Sequence, residues 1–382
     1  DWSSDVCSSD LLGRTGADFG VRGDGEHALA SLVRELRGER RFDRVDGLLW
    51  RDGGQIRENP PAWPSPWAAP TSRDAVDNDT YFRRGGQIGV ETRRGCPRNC
   101  LYCADPLAKG AASRLRDPAE VADEIAGLVA RGIDVLHLCD SEFNIPAAHA
   151  RAVCQELIRR RLGQRVRWYA YLAVVPFDAE LAGLMRRAGC VGINFTGDSA
   201  SATMLKTYGQ SHHRDDLADV VRRCRAEGIA VMLDLLLGGP GETPETVGET
   251  IEQVRRIGPD CAGAALGLRL YPRTGITDLV ASEGPMETNP AIRRHYEGPI
   301  DLVRPTFYIS PALGRHPARV VRERIGNDAR FFAPMDDQPL AAASASENTD
   351  HNYNDNQALV DAIAAGARGA YWDILRRLRG AG

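Results

Sequence analysis

From residue 86 onward, short apolar runs alternate with longer stretches whose apolar positions recur every three to four residues. The short runs predict buried strands at Gln87–Thr92, Val135–Cys139, Val166–Leu172, Val191–Phe195, Ile229–Leu236 and Ala264–Leu270. The longer stretches predict helices at Pro118–Arg131, Ala147–Arg161, Ala179–Ala188, Asp215–Glu227 and Pro244–Ile257. Such alternation calls for parallel strands joined by crossover helices, an α/β fold whose functional groups gather at the carboxyl ends of the strands. Upstream the pattern differs. Ala17–Glu26 reads as a short strand and turn, Glu26–Leu36 as an amphipathic helix, and Gly47–Arg51 with Gln55–Arg57 as a hairpin about Asp52-Gly53-Gly54. Residues 59–80 carry five prolines and little periodicity, the mark of a packed linker. Beyond residue 285 the repeat stops. Ala341–Asn356 reads as a polar loop whose His351, Tyr353 and Asp355 are either surface groups, the favoured reading, or part of the lining of the substrate opening, and Gln357–Arg379 reads as a closing helix broken at Gly366 and Gly369.

With 382 residues, 43% of them hydrophobic and 26% charged, the chain has room for about two domains, or one barrel with additions. Its net charge of −4 carries no basic footprint of a nucleic-acid binder, although all of its 48 basic residues except Lys109 and Lys206 are arginine. No apolar run reaches the length of a membrane span, and the best, Ile229–Leu237, contains Asp234. Nine cysteines without regular pairing point to a reducing compartment, the cytoplasm. One of them, Cys7, falls in DWSSDVCSSDL, which one frame of a common sequencing-adapter oligonucleotide encodes. Residues 1–11 are therefore expected to be an artefact and are set aside.

Three other cysteines change the picture. Cys96-Pro-Arg-Asn-Cys100-Leu-Tyr-Cys103 places thiols at CxxxCxxC spacing directly after the first predicted strand. Soft thiolates so close together suit an iron–sulfur cluster or zinc. No second CxxC or HxxxH pair follows, as a zinc ribbon or finger would require. A cubane of four irons held by three local thiolates leaves one iron open to another ligand.

This motif, with Tyr102 before the last cysteine, resembles the radical S-adenosylmethionine (SAM) superfamily. The resemblance implies a partial (β/α)6, TIM-like barrel. It also implies a 4Fe–4S cluster on Cys96, Cys100 and Cys103 that cleaves SAM to a 5′-deoxyadenosyl radical. Carried over by position, it makes Tyr102, Asp140, Ser141 and Glu142 candidates for the SAM end groups. Asp140-Ser141-Glu142 departs from the family's Gly-Gly-Glu-like stretch, which leaves open which carboxylate acts and whether either does more than face solvent. Asn194–Ser201 resembles the family's ribose and carboxylate region, so Thr196, Asp198 and Ser199 are candidates; Asp198 and Ser199 could equally cap the next helix. Gly238-Gly239-Pro240-Gly241-Glu242-Thr243 matches the family's GxPGET turn, placing adenine against Gly238, Gly239 and Pro240, with Thr243 capping the helix from Pro244. Tyr271-Pro272-Arg273-Thr274-Gly275 is similar to a YPGTPL-type ending, with Arg273 replacing a small residue. Cys139 reads as a core thiol, and His212 and His213 as surface residues at a helix start; no catalytic acid or base can be named.

The run VRGDGE…GLLWRDGGQIRENPP and the segment Asp301–Ser310 are similar to stretches flanking the barrel in cobalamin-dependent members. The expected division is therefore an artefact at 1–11, a remnant and linker after a missing cobalamin-binding domain at 12–80, a barrel at 81–285 and a C-terminal extension at 286–382. The expected function is cobalamin-dependent methylation of an unactivated carbon or phosphorus in a small molecule or peptide, with electrons from a flavodoxin or ferredoxin. The alternatives are a radical cyclisation or rearrangement and a non-catalytic metal-binding scaffold.

Overall fold

The computed structural model describes residues 8–64, 73, 75–335 and 356–380, so the loop bearing His351, Tyr353 and Asp355 lies outside the described residues. The chain divides into two compact units. One draws on Asp1–Trp67, Arg94–Arg114 and Arg269–Tyr308, the other on Ala68–Arg93, Leu115–Leu268 and Ile309–Gly382. Ion pairs between sequence-distant segments, described below, build the first of these. For that reason the division does not follow single cuts at residues 80 and 285.

The larger unit is a parallel sheet of seven strands. In chain order these are β1 (Ile88–Val90), β2 (Val135–Leu138), β3 (Arg167–Leu172), β4 (Cys190–Asp198), β5 (Ala230–Leu237), β6 (Cys261–Leu266) and β7 (Phe331–Phe332), and each pairs with the next. The crossover helices are α1 (Pro118–Ala130), α2 (Ala147–Arg159), α3 (Ala179–Arg187), α4 (Arg214–Glu227) and α5 (Pro244–Ile257), all within a few residues of expectation. Strand β6 starts earlier than its predicted limits and β7 was not predicted, because Ala262-Gly263-Ala264 and a two-residue strand carry little β-branched signal.

Side chains alternate between the two faces of the sheet. Leu136, Leu138, Trp168, Ala170, Ile193, Phe195, Val231 and Leu233 face the helices in the main core. The fully buried Trp168 donates its indole N–H to the Ala188 carbonyl at 2.8 Å and meets Phe143 edge-on at 5.6 Å, so a polar tip does not disrupt the packing. On the opposite, inward face a second cluster joins Val135, Tyr169, Met232 and Cys261 to Phe332, Leu359, Trp372 and Leu375. The predicted closing helix, split into Gln357–Ala364 and Tyr371–Gly380, thus seals one end of that face.

The smaller unit contains the antiparallel sheet Phe19–Val21, Leu48–Asp52 and Gln55–Glu58, the last two forming the predicted hairpin, beside helix Gly25–Arg37. One buried cluster of this unit joins Ala28, Leu32, Val45, Leu48 and Trp50, with Phe19 and Phe42 packed against it. A helix, Ser8–Thr15, starts inside the segment set aside above, and Leu12, its fifth residue, is buried.

Two expectations are corrected. Cys139 is exposed rather than in the core, because it follows β2 with inward parity. His212 is buried, its Nε2 lying 3.1 Å from the Gly197 carbonyl, while His213 alone is the exposed N-cap of α4.

Candidate active site

In the smaller unit, the cysteine loop is shaped before any cofactor enters. Gly95 takes φ +84°, and a Cβ there would sit 2.1 Å from the Ala112 carbonyl oxygen, so only glycine turns the chain into Cys96. The Cys96 amide donates to the Gly110 carbonyl at 2.9 Å, and the Cys103 amide to the Cys100 carbonyl at 3.1 Å. Cys96 is buried, while Cys100, Tyr102 and Cys103 are half-buried. Burial, with Asp105, Cys100 and Cys96 nearby, pushes the Cys103 thiol up to about 12, against the opposing N–H of Asp105 that points at its sulfur from 3.4 Å. The three thiols are close enough to feel one another's charge. A cubane spreads its thiolates over separate irons, so this donor set fits an iron–sulfur cluster better than one zinc ion.

Both ends of the loop are clamped by a residue that the sequence reading did not single out. Asp24, in the V-R-G-D-G-E run, pairs with Arg114, both side chains nearly fully buried, and lies 3.6 Å from Arg94. Glu26 takes Arg94 at 2.7 Å. Arg114 also lies over the Trp63 ring, and Trp63 closes on Gly110. The Y-P-R-T-G turn completes the support: the Ile276 amide donates to the Leu101 carbonyl at 2.8 Å, and Arg273 holds φ +65°, the backbone that favours a small residue there.

In the larger unit, the candidates gather at the carboxyl ends of β1 to β5. Asp140 is buried and accepts from the Thr92 amide at 2.7 Å, the Thr92 hydroxyl at 2.5 Å and the Arg93 amide at 3.1 Å. Burial raises its pKa to about 6 against those three donors. Its oxygens are thus committed to the end of β1, which leads into the cysteine loop. Ser141 is half-buried. Glu142 and Thr196 are brought together, the threonine hydroxyl donating to the carboxylate at 2.9 Å. Of the two acidic candidates, Glu142 is the one whose geometry suits a ligand's ammonium.

The β4 end carries a bulge at Gly197, after which Asp198 sits at φ +54° and accepts from the Gln210 amide. Ser199 is fully buried, sharing a 2.8 Å hydrogen bond with Thr250 and accepting the Ser201 amide. The N-cap of the next helix is Ser201, not Asp198 or Ser199.

The Gly-Gly-Pro-Gly-Glu-Thr turn is held from within. Glu242, fully buried with its pKa raised by burial, accepts from the Gly238 amide at 3.2 Å and the Thr246 hydroxyl at 2.7 Å. Tyr208 donates to the Leu236 carbonyl at 2.9 Å and accepts the Gly239 amide at 3.2 Å. Ser310 binds both sides of the turn, its amide to the Gly238 carbonyl and its hydroxyl to the Glu242 carbonyl, each at 2.7 Å. A Cβ on Gly239 would lie 2.4 Å from the Tyr208 ring, so this glycine is required by Tyr208 packing. Gly238, at φ +89°, is required by the backbone itself, and Pro240 is buried beside it. Thr243 caps α5 as expected. Tyr208, Thr250 and Ser310 were missed because their partners are 28 to 68 residues away.

Comparison with known proteins fits this geometry. The Radical SAM superfamily model matches residues 90–254. The chain is 30% identical over 463 aligned positions to the tryptophan 2-C-methyltransferase of Streptomyces laurentii, covering 95% of this chain and 76% of that protein. The radical SAM methyltransferase TsrM from Kitasatospora setae, solved with its tryptophan substrate and the SAM analogue aza-SAM, superposes with TM-score 0.85 and 30% identity over 98% of this chain and 79% of that one. TsrM has also been solved with cobalamin and a 4Fe–4S cluster bound, at TM-score 0.84. The cobalamin-dependent enzyme OxsB, at 16% identity and TM-score 0.63, shares the fold. The family model, the near full-length identity and the shaped cysteine loop together establish that this chain belongs to the radical SAM superfamily, on the branch of its cobalamin-dependent methyltransferases.

Proposed function

We propose that the chain methylates a carbon of a small molecule carrying an indole or similar ring, with SAM as methyl source and cobalamin as carrier. The observation that supports this most is the Cys96–Cys103 loop, set by Asp24 and Glu26 in a chain 30% identical to an enzyme solved with tryptophan and a SAM analogue. When bound, the cluster and cobalamin supply the electron and the methyl-carrying metal that no side chain can provide. The protein's own part is positional. Cys96, Cys100 and Cys103 hold the cluster. Glu142, steadied by Thr196, takes the SAM ammonium, and the backbone of Gly238 to Pro240 lies against its adenine. A flavodoxin or ferredoxin in the cytoplasm is the expected electron source. Among the described residues, no helix is long and apolar enough to cross a membrane.

The test is anaerobic reconstitution of wild type and Cys100→Ala with iron, sulfide and cobalamin, followed by SAM, reductant and L-tryptophan. The wild type is expected to hold about four irons per chain and yield a methylated indole; the variant should lose both. Stoichiometric zinc without iron in the wild type would overturn the reading.

A further inference from the structure

Within the larger unit, the inward face of the sheet changes character above the sealed end. Beside the apolar Val135, Tyr169, Met232 and Cys261 it carries four residues with polar heads, His137, Tyr171, Asn194 and Asp234, with Asp234 one step nearer the strand ends than Tyr171 and Asn194. Three of these four carry incompletely used polar groups.

His137 is only 8% exposed, and neither ring nitrogen has a hydrogen-bond partner among the described residues. An imidazole so placed forfeits the hydrogen bonds it made to water unless a ligand or water restores them. Its ring lies 5.3 Å from that of Tyr171, tilted by 46°. Tyr171, on the inward face of β3 one residue before its end, is 40% exposed, so this face opens onto accessible space near the strand ends.

Asp234 completes the set. Asn194 donates to one of its oxygens at 3.0 Å and is itself fixed by the Trp372 indole N–H at 2.7 Å. This is the one hydrogen bond given to the Asp234 carboxylate among the described residues. The other oxygen faces Gly263, where a Cβ would approach it to 3.2 Å, so the lack of a side chain keeps that oxygen reachable. From the Tyr169 tier to the strand ends, the inward positions (Gly89, His137, Tyr171, Asn194, Thr196, Asp234, Gly263) include no Lys or Arg. With the Asp234 carboxylate and a neutral imidazole on the strands, Glu142 beside Thr196 as a second carboxylate, and no cation among the inward strand positions, this face disfavours an anionic group and favours a planar group bearing an N–H.

We propose that His137, Tyr171 and Asp234 form the recognition chamber for the substrate's ring, with Asp234 accepting the N–H of a planar nitrogen heterocycle, the adjoining Tyr171 and His137 rings forming one wall of the chamber, and a ring nitrogen of His137 binding a substrate polar group. Burial raises Asp234 to about 6 and lowers His137 to about 4, which leaves the acceptor ionised and the imidazole neutral near pH 7. This assignment rests on the function proposed above and adds its specificity determinants. Asp234 and His137 stand as substrate-binding residues, with Asn194 as the positioning residue for Asp234.

The experiment uses the reconstituted chain and two probes of one shape, L-tryptophan and 3-(benzothiophen-3-yl)-L-alanine, in which sulfur replaces the ring N–H. Calorimetry on the wild type should show L-tryptophan bound about 10-fold or more tightly, the discrimination of a hydrogen bond to a charged acceptor. Asp234→Asn should erase that preference while iron content and SAM affinity stay unchanged. His137→Phe should weaken both probes alike and keep the preference. Equal binding of the two probes by the wild type, no binding of either, or a preference that survives Asp234→Asn would each overturn the chamber. Methyl transfer from SAM to cobalamin, followed by absorption in the same samples, separates the two readings. If it persists without indole binding, only the chamber fails; if it is absent while the probe preference follows Asp234, the chamber stands and the proposed methyl transfer fails.

Discussion

The two units are held together by opposite means. The sheet unit has a continuous apolar core running through all of β1 to β7 and their helices, and its polar groups are additions to a structure already stable. The cysteine-loop unit is assembled from three separated stretches of chain, with apolar residues buried in the first, such as Leu32 and Leu48, and in the third, such as Leu270, Ile276 and Val280, while Asp24, Glu26, Arg94 and Arg114 fix the cysteine loop. A buried ion pair gives little net stability but is costly to break from one side. The order of the sheet unit is therefore spread over apolar packing, whereas that of the cysteine loop depends on a few charge pairs. Where a chain must bind a bulky cofactor in a loop, few apolar contacts are available and charge pairing fixes the geometry instead.

The comparison breaks most directly at Asp24. Asp24→Ala leaves the Arg114 guanidinium buried without its carboxylate, at a cost of about 3–5 kcal/mol confined to the smaller unit. Amide hydrogen exchange should rise across residues 94–114 and iron retention should fall, while amides of β2 and β4 keep their protection. Equal loss of protection in both units would show that they do not differ as argued. Phe195→Ala is the converse, removing a fully buried ring at about 3–5 kcal/mol and loosening the sheet.

The same division explains what the sequence made legible. The helices of the sheet unit and its strands β1 to β6 follow apolar periodicity, a local property, and so were found within a few residues, whereas the two-residue β7 was not. The cysteine loop and the Gly-Gly-Pro-Gly-Glu-Thr turn carry compact motifs, so their chemistry was also visible. What escaped were the partners: Asp24 for Arg114, Tyr208 for Gly239, Ser310 for Glu242 and Trp372 for Asn194. Each joins residues 31 to 178 positions apart, and no periodicity encodes such a pair. Asp140 shows the limit of motif transfer. It stands where an acidic SAM contact was expected, yet its oxygens are taken by Thr92 and Arg93.

A smaller effect tests the polar additions to the sheet unit. His137 is held near 4 by burial, against 6.5 in the unfolded chain. A histidine with a depressed folded pKa contributes stability that is present above 6.5 and lost as pH falls towards 4. At pH 5 about 2 kcal/mol should be gone. Asp140 and Asp234, raised to about 6 by burial, work in the opposite sense, becoming less of a penalty as pH falls through 6. Urea titrations of wild type and His137→Phe at pH 7 and 5 isolate the histidine as the difference between the two pH slopes. Identical slopes would mean that His137 is hydrated in the folded protein.

The finest distinction lies within the glycine-rich turn, between a local cap and a connection to the site. Thr243 and Thr246 bond reciprocally at the start of α5: the Thr246 amide donates to the Thr243 hydroxyl at 3.4 Å and the Thr243 amide to the Thr246 hydroxyl at 2.9 Å. Pro244 already fixes the first helical residue, so much of the helix start survives without the cap. Thr243→Ala should then cost about 1 kcal/mol, with SAM affinity unchanged. Thr246 does more, because its hydroxyl donates to the buried Glu242, whose other oxygen holds the Gly238 amide. Thr246→Val keeps the shape of the side chain but withdraws that donor, so the carboxylate must turn or bind a proton, and the Gly238 backbone moves with it. SAM binding, measured on the reconstituted protein, should weaken several-fold in Thr246→Val and not in Thr243→Ala. If the two variants lose equal stability and neither alters SAM binding, Glu242 is a structural acid alone and the turn takes its shape from Tyr208 and Ser310.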